Sequence, residues 1–66
     1  MGMYERYVNK KVKIVWSDFD RQKAIVGLLE EHSNGFLTIK TSKGNNLISI
    51  LETAVLTISE YFEGGR

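Results

Sequence analysis

Val12, Ile14 and Trp16 alternate with Lys11, Lys13 and Val15, and a period of two marks a strand that buries one face. The same reading continues down the chain. Residues 23–31 form a second, longer strand whose run 24–29 is apolar on both faces and is interrupted by Gly27. Glycine weakens a strand interior, so it belongs at a sharp bend or a close approach of backbone. In a small barrel such a bend lets one strand serve both halves of the sheet. Phe36–Thr41, Leu47–Leu51 and 55–59 read as three further strands. The connections are short and polar: 17–21, then His32-Ser33-Asn34-Gly35, then 42–46, then a brief break at Glu52-Thr53-Ala54. Asn-Gly between apolar runs is the strongest local hairpin signal.

Ahead of the strands, Met3 and Tyr7, and Tyr4 and Val8, stand four apart. That spacing predicts a turn or two of helix over 3–9 with one apolar side, too short to persist unless docked. Asn9 suits its end, because asparagine tolerates the left-handed conformation. The expected organisation is one all-β domain over 1–66: a helix at 3–9, a strongly bent five-stranded antiparallel barrel of Sm-like or SH3-like kind over 11–59, and a tail at 60–66.

A chain of 66 residues buries a modest core, and domains this small often lean on a disulfide, a metal or further subunits. Cysteine is absent and His32 is the single histidine, which removes disulfides and thiolate metal sites. Self-association is the remaining support. No apolar run approaches the ~20 residues of a membrane helix, and the N-terminus has no signal-peptide apolar region. The expectation is a cytoplasmic protein without a membrane partner.

The pattern Asn9-Lys10-Lys11-Val12-Lys13-Ile14, the bend Ile25-Val26-Gly27-Leu28-Leu29 and the stretch from Ile50 to Ile58 resemble the Sm-like family, which includes Sm and LSm proteins and the bacterial Hfq proteins. The resemblance runs from about Met3 to Ser59. It implies a homo-oligomeric ring that binds single-stranded RNA, the fourth strand of one subunit pairing with the fifth of the next. The apolar skeleton fits the family better than its polar signature does. Ser33 stands where the family usually has Asp, Phe36 and Leu37 where a base-holding Asn falls, and Leu51-Glu52 where Arg-Gly falls.

On this reading His32, Ser33, Asn34 and Phe36 lie at the turn that contacts RNA, where a ring can stack a base and Asn or His can read a base edge. The plainer reading is a hairpin turn with Phe36 in the core. Five of the nine cations, Lys10, Lys11, Lys13, Arg21 and Lys23, cluster in sequence although the net charge is only +1. They would track phosphates, or else form a solvated face that discourages edge pairing. Leu47, Ile48, Ile50, Val55, Leu56 and Ile58 are the expected subunit interface, and Gly27 the structural bend. No nucleophile with a base and no phosphate loop is legible, so neither an enzyme nor a cofactor is expected. The alternative function is an SH3-like protein-interaction or structural module that does not bind RNA.

Overall fold

The computed structural model describes residues 4–62. Five antiparallel strands follow one another: β1 (Lys11–Asp18), β2 (Arg21–Ser33), β3 (Phe36–Thr41), β4 (Leu47–Leu51) and β5 (Val55–Glu60). They form one sheet in the order β4-β3-β2-β1-β5. β2 is the organising strand. Its first half pairs with β1, from Asp18 with Arg21 to Lys11 with Leu28. Its second half pairs with β3, from Gly27 with Thr41 to Ser33 with Phe36. Gly27 and Leu28 lie where the two ladders overlap.

The reason for glycine at 27 is contact rather than dihedral freedom. A Cβ built there would lie 2.4 Å from the Lys40 carbonyl oxygen and 2.8 Å from Ile39 Cγ2. The register irregularity on β2 falls slightly later, between Leu29 and Glu31, where an extra residue bends a strand and increases its twist.

Opposite residues in a ladder share a face. Val12 with Gly27, Ile14 with Ile25 and Ile58, and Leu37 with Ile50 therefore line one side of the sheet. Val12, Ile14, Leu29, Leu37, Ile39 and Ile50 are buried as one cluster, with Trp16, Ile25, Ile48, Val55 and Ile58 packed around them. For β1 and β4, three strands apart at ~4.8 Å each, to share a cluster the sheet must curl. Its radius of gyration is 11.3 Å, close to the ~11 Å of a compact chain of this length.

Two expectations need correction. The sheet is not closed into a barrel: β4 and β5 are both edges, joined by the short 3-10 turn Glu52–Ala54 rather than by a ladder. The helix expected over 3–9 is only a 3-10 turn, Glu5–Tyr7. Propagation fails because Val8 is already extended and Asn9 takes φ 70°, after which the Asn9 N–H donates to the Leu29 carbonyl at 2.7 Å. Met3 and the last four residues of the expected tail lie outside the described residues. β3 and β4 fall where the sequence pattern placed them, while β1 and β2 run on into the turns expected at 17–21 and at His32-Ser33. Asn34 and Gly35, both with positive φ, make the two-residue hairpin loop.

Candidate nucleic-acid interface

A concave groove of about 660 Å³ opens beside the first halves of β1 and β2. Its floor is apolar, from Ala24, Ile25, Val26 and Ile48, and Lys11, Lys13 and Lys43 stand around it. Among the described residues, none that lines it is acidic. Alternation along β1 explains two of these cations: Val12 and Ile14 enter the core, so Lys11 and Lys13 face the other way.

The third cation is placed by the turn between β3 and β4. The Thr41 hydroxyl donates to the Lys43 carbonyl at 2.6 Å and accepts from the Asn46 N–H at 3.1 Å. The Ser42 N–H donates to the Val26 carbonyl at 3.1 Å, fastening the turn to β2. Gly44 and Asn45, at φ 82° and 53°, supply the reversal. Tyr61 completes the wall, with its N–H donating to the Lys11 carbonyl and Lys11 Nζ 5.7 Å from its ring centroid. An aromatic face beside lysines over an apolar floor can accept a stacked base and its phosphates.

The other sequence-predicted cations do not join this set. Lys23 pairs across β1 with Trp16, on the core side of the ladder, and its ammonium bonds Asp18 at 2.8 Å. Arg21 sits opposite Asp18 at the far end of the hairpin. Lys10 is turned toward Glu60 at 3.9 Å. Lys43 and Tyr61, which complete the groove, were not read as binding residues. Thirty or more positions separate them from Lys11 and Lys13, so only the fold brings them together.

The turn that sequence singled out for RNA has a different environment. His32 is gripped by two carboxylates: Nδ1 lies 2.9 Å from Glu5 Oε2, and Nε2 bonds Glu52 Oε1. Tyr4 packs edge-on against its ring, centroids 5.2 Å apart, and the Tyr4 hydroxyl donates to the Glu52 carbonyl at 3.5 Å. The hydrogen bond to Glu52, then that to Glu5, raises the histidine pKa above 6.5, against a smaller opposing effect of desolvation. When doubly protonated the ring donates from both nitrogens, and the clamp then fastens the N-terminal turn to the β4–β5 connection. The Ser33 hydroxyl donates to Glu31 at 2.8 Å, Asn34 lies exposed in the loop, and Phe36 is 43% exposed. Phe36 therefore stays accessible, while three carboxylates now surround the positions beside it.

Of the expected interface residues, Ile50 is in the core, and Ile48, Val55 and Ile58 pack against it. Leu47 and Leu56, on the two edge strands, are 62% and 50% exposed, and Leu51 is exposed beside them. Among the described residues, no helix is long and apolar enough to cross a membrane. No protein-family model, curated protein or solved structure matches the chain.

Proposed function

We propose that this protein is an Sm-like, self-assembling module that binds single-stranded RNA in the groove formed by Lys11, Lys13, Lys43 and Tyr61. The groove carries the reading: three cations around an apolar floor and an aromatic ring on the wall. Lysines neutralise phosphates and release counterions, while the Tyr61 face offers a stacking surface that tolerates any base. Asn46 and Ser42 provide hydrogen-bonding groups beside it.

Assembly is supported by the two sheet edges. β4 and β5 each leave one side of their backbone unpaired, and each exposes leucine. Joining β4 of one copy to β5 of the next satisfies both edges at once and sets several grooves along one RNA, which raises avidity.

The test is fluorescence anisotropy with labelled oligo-U and oligo-A over a salt series. Three lysines per copy, each contributing about 0.7, give a log–log salt slope of about −2 per groove. Lys13→Glu and Lys43→Glu should each weaken binding strongly, and Arg21→Glu should do so much less. If no oligonucleotide binds at about 50 mM salt, the RNA reading is lost and the SH3-like protein module becomes the better account.

A further inference from the structure

Phe19 and Asp20 are the entire loop between β1 and β2, because Asp18 pairs directly with Arg21. Such loops place Gly, Asn or Asp where φ is positive, and a bulky residue there is a steric outlier. Phe19 nevertheless takes φ 60° and leaves its ring 98% exposed. Its own fold gains no packing from that ring. The base of the loop is well fastened, with the Ser17 hydroxyl donating to the Phe19 carbonyl at 3.4 Å and Asp18 held by Lys23. An aromatic ring is thus presented in solvent at the tip of the hairpin, with an aspartate on either side.

The groove described above complements this tip in shape and in charge. It has an apolar floor for a ring and a lysine rim for carboxylates. A copy cannot fill its own groove. Lys13 and Asp18 are five positions apart along a fully paired strand, about 17 Å at ~3.3 Å per residue.

We infer that the Phe19 tip of one copy docks in the groove of a second copy, with the ring on Ala24, Val26 and Ile48 and Asp20 against the lysines. The contact is heterologous, tip to groove, so it extends an assembly rather than closing a symmetric pair. Of the edge strands it uses only the Ile48 side chain of β4, leaving the backbone edges of β4 and β5 for pairing. It also occupies the surface assigned above to RNA, which makes docking and RNA binding compete. The inference uses the same groove as that assignment but does not require RNA to bind there.

Sedimentation velocity over a protein concentration series, without RNA, separates the two ideas. The wild type should show a concentration-dependent species beyond the edge-paired one, and raising salt from about 50 to 500 mM should diminish it. Phe19→Ser and Phe19→Gly should each weaken that step about tenfold or more, as loss of a buried aromatic anchor does. Phe19→Gly should unfold no earlier than the wild type, since glycine accepts the positive φ. Asp20→Lys should weaken the step, and Asp20→Lys with Lys13→Glu in the same chain should restore it. A wild type whose size distribution matches that of Phe19→Ser at every concentration overturns the inference, whatever the anisotropy experiment gives. So does an Asp20→Lys chain that associates normally.

Discussion

Replacing Gly27 with alanine adds one carbon atom, and the fold has no room for it. The new Cβ would start 2.4 Å from the Lys40 oxygen, where ordinary contact begins at 3.4 Å, so β3 must retreat by about 1 Å, the difference between those two distances. Neither side of Gly27 can yield freely, because Val12 pairs with it on one flank and Thr41 on the other. Forced overpacking of this kind costs about 1–3 kcal/mol, and losing one ladder hydrogen bond about 1 more. The stiffer unfolded chain returns about 0.4–1 kcal/mol. The net loss is about 1–3.5 kcal/mol, centred on ~2, against a total of about 3–10 kcal/mol for a domain this size.

Urea unfolding at one fixed protein concentration reads this directly, fixed because any self-association would contribute to apparent stability. With a denaturant dependence of about 1 kcal/mol per molar, the midpoint should fall by about 2 M. Gly35→Ala is the control. Nothing lies within 4 Å of its Cβ position, yet φ is 80°, so it should lose only the ~1–2 kcal/mol of left-handed strain. A Gly27→Ala midpoint within about 0.5 M of wild type would mean that β2 and β3 are not pressed together there, and the account of the strand crossing would fail.

The His32 clamp makes stability depend on pH with a definite sign. Its pKa is raised in the folded chain from 6.5, so its contribution is complete below 6.5 and is lost as pH climbs through the raised value. Thermal unfolding of wild type and His32→Gln should therefore differ most near pH ~5.5 and converge toward pH ~8.5; a gap that widens with pH would refute the arrangement. At the sheet edges, Leu47→Lys and Leu56→Lys should each shift native mass spectra toward the monomer. At a dilution where the wild type is itself monomeric they should leave the unfolding midpoint nearly unchanged, since both side chains are mostly exposed. A midpoint loss of about 2 kcal/mol or more would mean that these leucines belong to the core instead.

β1, β3 and β4 were legible because one face of each is buried, and burial writes a period of two into the sequence. The Asn34-Gly35 loop and the reversal at Asn9 were legible for a local reason too: few residues accept positive φ. What escaped depends on distant partners. Ser17 and Asp18 look like turn residues, yet pairing with Gln22 and Arg21 draws them into β1. The N-terminal helix is overridden by the Asn9 bond to Leu29. Glu5 and Glu52 meet at His32 from opposite ends of the chain, and no spacing rule signals that. The basic window was read as one patch, but the pleat sends Lys11 and Lys13 to one face and Lys23 to the other.

The edge strands β4 and β5 lie at opposite ends of the sheet order yet are consecutive in the chain, with only Glu52–Ala54 between them. Any filament or ring built along these edges thus takes its curvature from a three-residue hinge in each copy. Lengthening or shortening that hinge would change the pitch of the assembly while leaving the β1–β3 ladders of each subunit as they are. The His32 clamp grips this same hinge through Glu52, so in any such assembly protonation of one side chain would reach the geometry between copies without touching either edge.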